Sequence, residues 1–303
     1  MESVVKIVYQ NGEFTAKESS ILGVSIDTIF TVLTTLVIFI AGILIERWIE
    51  SKREKRRLKE LEEYFIKLIE LCEKSVLKQA DGFKDFSAKL IEKKDQHFHL
   101  IDVSAFSMEP IKEIEKKDLF TIFVKIKKGE IGLKTELFRK LLGNIEHMDN
   151  IKTAYKREYQ AFTNKFEKYQ QDYNDNLKIT SEAYDQMRTF NEANKIKPDA
   201  DPFLSKLDDI RVKWTELEKE GIDFRDRYVT REKYIEPLRD LCRESMGDQR
   251  AVYVLKHTVE SIYAFENMEE LKTFYSKHFT VDSDSLRKSM NEIKDCLKEF
   301  EKM

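Results

Sequence analysis

Residues 21–45 read ILGVSIDTIFTVLTTLVIFIAGILI and carry a single charge, Asp27. From Thr28 to Ile45 there are 18 uncharged residues. Wound as a helix at about 1.5 Å per residue, they extend about 27 Å, close to the hydrocarbon thickness of a bilayer. No second stretch of this length and apolarity occurs in the 303 residues. The sequence therefore predicts one transmembrane helix over 21–45, preceded by a short tail, 1–20.

The flanks orient that helix. Residues 46–59, ERWIESKREKRRLK, hold seven basic residues (Arg47, Lys52, Arg53, Lys55, Arg56, Arg57 and Lys59) against three Glu. Before residue 21 the only basic residues are Lys6 and Lys17. Excess Lys and Arg stays on the cytoplasmic side, so the tail is expected outside and the bulk of the chain inside. Trp48 falls where an indole suits the headgroup layer, and the basic cluster attracts anionic lipid. A cleaved signal peptide fits less well, because no basic segment opens the chain and no A-x-A site follows the apolar run. Within the tail, Asn11-Gly12 is a hairpin turn signal.

Composition bounds the remainder. Charged residues make up 36 %, with 53 basic and 56 acidic, for a net charge of −3. A dedicated nucleic-acid binder would show a strong basic excess, so direct nucleic-acid binding is not expected. Nine Gly and four Pro leave few breakers in a chain rich in helix formers. The expected class is all-α, a membrane helix continuing into a mostly helical cytoplasmic bundle with long helices. Cys72, Cys242 and Cys296 are isolated and fall at apolar-face positions, which reads as core packing.

Periodicity places the helices. Leu58, Leu61, Phe65, Leu68 and Cys72 step by 3 and 4, the seam of a coiled coil that carries the membrane helix on to about residue 80. Residues 81–130 are ambiguous. Phe120, Ile122, Val124 and Ile126 alternate like a strand, whereas Ile111, Ile114, Leu119 and Phe123 fit a helix. Tyr155, Tyr159, Phe162, Phe166, Tyr169 and Tyr173 advance at 3.6 residues per step, so a long helix is predicted over 133–195. Pro198-Asp-Ala-Asp-Pro202 breaks the pattern, dividing a cytoplasmic long-helix region, 46–197, from a C-terminal helical domain, 198–303. In the latter, helices are predicted near 203–220, 230–246, 249–265, 268–279 and 284–301, with a kink at Pro237 and caps at Ser283 and Asp284.

Enzyme motifs are sparse. There is no phosphate-cradling glycine loop, no H-E-x-x-H and no nucleophile elbow. His97 and His99 in QHFH lack neighbouring ligands, so no metal site and no cofactor are expected. One pattern stands out: Arg250-AVYVLK-His257. Histidine moves protons near neutral pH and arginine holds phosphate charge, so the pair is a candidate catalytic set for chemistry at a phosphate. On one helix the two residues lie about 10.5 Å apart along the axis, so only a dimer of such helices could complete a site. His257 is expected to point away from the apolar stripe of Val252, Leu255, Val259 and Ile262. In the membrane helix, Asp27, Thr31, Thr34 and Thr35 share a sector with Thr28 nearby. Polar residues in a span tend to face other helices or water, so this stripe is the candidate helix–helix or pore-lining surface.

With its span at 21–45 and Arg250 and His257 in the loose R-x(4–6)-H spacing, the chain resembles the single-pass membrane accessory proteins encoded beside RNA-targeting CRISPR nucleases. That family pairs an N-terminal span with a helical cytoplasmic region bearing a divergent HEPN-like motif, and is thought to form oligomeric inner-membrane pores in antiphage defence. The resemblance implies that Arg250 and His257 are structural relics, in line with Ala251 where active members carry a polar residue. It also implies as partners the lipid bilayer, further copies of the chain, and a cytoplasmic protein or RNA-guided nuclease complex. The expected function is a regulated pore or permeability effector. The alternatives are a membrane-tethered HEPN ribonuclease and a non-catalytic scaffold.

Overall fold

In the computed structural model the described residues are 6–10, 13–17, 20–21, 24–94, 97–219, 221, 223 and 226–303, with side chains described from Thr28 onward apart from those of residues 198 and 218. The chain divides into two compact units, Met1–Ile66 and Lys67–Met303.

The first unit opens with two short antiparallel pairs. β1 (Lys6–Gln10) lies against β2 (Glu13–Lys17) in the register Gln10↔Glu13, as an Asn-Gly hairpin would set it; Asn11 and Gly12 themselves lie outside the described residues. β3 (Ser20–Ile21) pairs with β4 (Val24–Ser25). Helix α1 then starts at Ile26, not at residue 21 as the hydropathy suggested, and is assigned through to Ile91, across the boundary between the units. Apolar runs alone cannot tell strand from helix at their ends, and Ile21, Val24 and Ser25 lie in strands. Between Phe30 and Ile45 the large apolar side chains of α1 are exposed on every side.

The second unit is all-helical. Its elements are the Lys67–Ile91 portion of α1, α2 (Glu109–Lys112), α3 (Lys116–Phe120), α4 (Ile131–Ala193), α5 (Pro202–Lys219), α6 (Arg227–Thr230), α7 (Glu236–Glu244) and α8 (Gln249–Glu301). Three long segments form its body. Contacts Glu73–Lys294, Ala80–Ser283 and Ser87–Ser276 run α1 antiparallel to α8. Contacts Asn144–Glu292 and Asn176–His257 run α4 antiparallel to α8 as well. Between them sits an aromatic core. Phe86 meets Tyr159, Phe162 and Phe279 at ring-centroid distances of 5.7, 5.8 and 5.1 Å. The stripe read from the sequence is thus packing, each edge-to-face pair adding about 0.5–1.5 kcal/mol beyond its buried area. Two of its hydroxyls find partners: Tyr155 donates to Asp102, and Tyr159 to the Phe98 carbonyl.

Where α1 ends, the shorter helices replace it against α4 and α8. Leu204, Leu207, Leu238, Leu241 and Cys242 pack with Tyr184, Met187, Ala251 and Val254. At the opposite end α2 and α3 are tied to α4 by Lys112–Asp149 and Lys116–Glu146, and Phe123, just after α3, lies 4.9 Å from Phe300. The ambiguous stretch 120–126 is helical, its second part a widened turn over Thr121–Ile126. The expected break at Pro237 appears as a second widened turn, Arg231–Ile235, ahead of α7. Proline lacks the N–H that would continue the regular ladder, and the wider turn absorbs the loss.

The helix limits expected after residue 248 are corrected. The helices read as 249–265, 268–279 and 284–301 are one helix of 53 residues, α8. Ser283 does not cap a helix; it is buried and donates to the Ala80 carbonyl at 2.7 Å, filling a close α1–α8 approach. The Pro198–Pro202 interruption lies inside the second unit, and α4 and α8 pack along each other from either side of it.

Candidate functional site

The apolar stretch of α1 has the length and composition to cross a membrane, and none of it is buried. A water-soluble helix hides one stripe; a helix apolar all round needs an apolar solvent. Of the candidate polar stripe, Thr28, Thr31, Thr34 and Thr35 are exposed on α1. The Thr35 hydroxyl donates to the Thr31 carbonyl at 2.8 Å, so part of the stripe is satisfied within its own helix. Asp27 lies in the helix, but its side chain is not among those described.

The basic collar divides in two. Arg56 pairs with Glu60 at 2.9 Å, and Arg57 with Glu54 at 2.7 Å. Lys52 places its ammonium 3.9 Å from the centroid of the Trp48 ring, a cation–π contact. Arg47, Arg53 and Lys55 are exposed, and none of them has a carboxylate within ion-pair distance among the described residues.

Arg250 and His257 are not brought together. Both lie on α8, two turns apart, and each faces a different partner. Arg250 sits in the first turn of α8, where Asp248 caps the helix by accepting its backbone N–H at 2.8 Å. Its guanidinium makes a fork to Asp201, at 2.6 and 2.8 Å, and reaches Asp248 at 2.6 Å. Asp201, only 6 % exposed at its side chain, also accepts from the Asn191 amide at 2.8 Å and from Leu204 N–H at 3.2 Å. Hydrogen bonds from Arg250 hold the Asp201 carboxyl well below the usual carboxylate range, and separate bonds from the same guanidinium lower that of Asp248. The cluster ties the end of α4, the start of α5 and the start of α8 into one polar knot.

His257 faces α4. Its Nδ1 lies 2.8 Å from Asn176 Oδ1 and 3.4 Å from Glu260, and its side chain is 12 % exposed. The expected stripe of Val252, Leu255, Val259 and Ile262 is displaced: the buried positions are Ala251, Val254, Thr258, Ser261 and Ile262. The difference arises because α8 is covered on two sides, by α4 and by α7, so small polar residues enter the interface and Val252 is left outside.

Sequence reading missed the partners of these residues. Asp248 carried a signal, an acidic residue at a helix start. Asp201 and Asn191 are remote in sequence and carried none. It also missed Lys272, 4 % exposed, which donates to Tyr228 Oη at 2.6 Å and Glu269 at 2.8 Å. His97 and His99 are exposed, with Phe98 between them turned onto Phe162 and Phe166. Among the described residues no group of three or more His, Cys, Asp and Glu is placed to hold a metal ion. A groove of about 770 Å³ runs beside Phe98, Phe166, Glu167 and Arg227. Its aromatic wall already carries internal cations, Arg227 5.8 Å from the Phe166 ring and Lys272 5.6 Å from that of Phe98.

Among the described residues the chain is helical apart from two short strand pairs, and one helix is long and apolar enough to cross a membrane. No protein-family model, curated protein or solved structure matches it.

Proposed function

We propose that this chain is a single-span membrane protein that works as an oligomer, with the unit Lys67–Met303 on the cytoplasmic side and no catalytic centre of its own. One observation carries the reading: the apolar side chains of α1 are exposed around the whole helix, which only lipid or neighbouring spans can cover. The seven basic residues after the span orient it by the excess of positive charge. The ribonuclease alternative is disfavoured because Arg250 directs its fork at Asp201 and Asp248 rather than outward. The inner-membrane setting in antiphage defence rests on the family resemblance alone.

A narrower reading, a regulated permeability path, is favoured by Thr28, Thr31, Thr34 and Thr35, which fall within one sector of α1 at helical spacing. Associated spans meeting along that face would bring hydroxyls rather than isoleucines to the axis.

The test is fractionation of the full-length chain carrying a C-terminal reporter. Retention in membranes after an alkaline wash, a reporter active inside the cell, and a detergent-solubilised mass of several protomers are expected. A protein that stays soluble without detergent refutes the span, and a monomeric mass refutes the assembly.

A further inference from the structure

We infer that Arg47, Lys52, Arg53 and Lys55 form a binding collar for anionic phospholipid headgroups around α1, and that Arg56 and Arg57 do not belong to it. The inference rests on the span reading and adds the lipid class and the residues that select it.

The ion pairs make the division. Arg56 and Arg57 sit against Glu60 and Glu54, so each pair offers lipid no net charge. No carboxylate lies within ion-pair distance of Arg47, Lys52, Arg53 or Lys55 among the described residues, and all four are exposed.

Their arrangement identifies the surface they meet. At about 100° per residue, Lys55, Lys52 and Arg53 lie about 80°, 140° and 240° round the helix from Arg47. Glu46 and Glu50 fall in the remaining third. A helix lying in the headgroup plane carries its cations on one face and its apolar residues on the other. Here cations surround most of the helix just beyond a segment that is apolar all round, so the helix passes steeply through the headgroup layer. From Arg47 to Lys55 the rise is about 12 Å, little more than one Debye length at physiological salt. All four therefore feel one leaflet surface. Trp48 lies within this band, its indole beneath the Lys52 ammonium.

Trp48 also supplies the probe. The chain has two tryptophans, and Trp214 lies in the second unit, stacked on Tyr234. In a W214F background the full-length protein is reconstituted with brominated phosphatidylglycerol or brominated phosphatidylcholine, and quenching of Trp48 gives the relative affinity of the two lipids. Each cation near an anionic surface favours the anionic lipid by roughly fivefold before screening, so a preference for phosphatidylglycerol of at least about tenfold is expected. R47Q/K52Q/R53Q/K55Q should bring the two lipids within about twofold of each other. E54Q/R57Q together with R56Q/E60Q, which removes both partners of each pair and leaves net charge unchanged, should keep the preference. Equal quenching of the starting protein by both lipids overturns the inference while leaving the span intact. So does a quadruple variant that retains the preference. Relief of phosphatidylglycerol quenching by millimolar inorganic phosphate at constant ionic strength overturns it in favour of free phosphate, and relief by a short RNA in favour of nucleic acid. Quenching by neither lipid removes the span, and the inference with it.

Discussion

Replacing Arg250 by methionine separates a structural arginine from a catalytic one. The substitution keeps most of the aliphatic stem beside Phe203, whose ring centroid lies 5.7 Å from the guanidinium carbon. It removes the fork to Asp201 and the bond to Asp248. Asp201 keeps the Asn191 amide and Leu204 N–H, but its buried carboxylate loses its counter-charge. Breaking a buried ion pair from one side costs about 3–5 kcal/mol. Here the arginine is 39 % exposed and Asp201 retains two donors, so a cost of about 2–3 kcal/mol is expected. For a unit of this size that lowers Tm by about 5–10 °C. Thermal unfolding of the full-length protein in detergent, followed by far-UV circular dichroism, measures it. Adding D201N removes the stranded charge and should recover about 1 kcal/mol or more. R250K should recover little, because an ammonium cannot make the fork. The sign with pH follows from the lowered Asp201 carboxyl. Its stabilisation is complete above the unfolded carboxylate pKa of about 3.9 and is lost as pH falls through the lower folded value. The gap between wild type and R250M should therefore hold at pH 5 and narrow below about pH 4. A Tm within about 1 °C of wild type, or a double variant weaker than R250M alone, refutes the reasoning. Loss of RNA cleavage with unchanged Tm would make Arg250 catalytic.

Three further outcomes are expected. Replacing Thr31, Thr34 and Thr35 together by leucine should abolish ion leakage from reconstituted vesicles while leaving the assembly's mass unchanged; persistent leakage removes the permeability reading. Asp282 of α8 is 3.6 Å from His278 and close to His147 and Glu158 of α4, and burial pushes its carboxyl up while the two histidines oppose that. The folded state thus holds that proton more tightly than the unfolded one, so D282N should be more heat-stable than wild type at pH 8, with the advantage shrinking as pH falls towards 4, and an advantage that grows instead contradicts it. All three cysteines are buried, and burial pushes the Cys242 thiol up to about 12. Maleimide at pH 7 should therefore label them only at the rate of unfolding, and labelling as fast as a free thiol would show the core to be open.

What the sequence revealed depended on whether the signal was local. The long helix read as 133–195 is α4, Ile131–Ala193, because a stripe at 3.6-residue spacing recorded its buried face over several turns. The unity of α8 was hidden. Ser283 and Asp284 look like a cap until Ala80, some two hundred residues earlier, supplies a carbonyl for the serine hydroxyl. The stretch 97–108 had no period because it is held by single side chains. Gln79, fully buried, donates to the Ile101 carbonyl at 2.9 Å and accepts from Val103 N–H at 2.8 Å, and nothing near Gln79 announces that role. The Arg250–His257 spacing was visible, but its meaning was not. Asp201 lies 49 residues before Arg250 and Asn176 lies 81 before His257.

These buried polar contacts set the register of the second unit. Apolar ridges alone let one helix slide past another by a turn at modest cost. Here Ser87 meets Ser276 and Thr280, Ser283 meets Ala80, and Asn144 meets Glu292, so a shift of α1 or α4 along α8 would strand several groups at once. Each stranded group costs about 1–3 kcal/mol. Arg250 and His257 act in the same way, one at the start of α8 and one two turns further on, fixing α8 to α5 and to α4. A bundle locked at that many levels moves as one piece rather than by internal sliding. If the chain assembles in a membrane as proposed, changes of state would belong to contacts between copies and with lipid, where α1 leaves its apolar side chains uncovered, rather than to rearrangement within the helical unit.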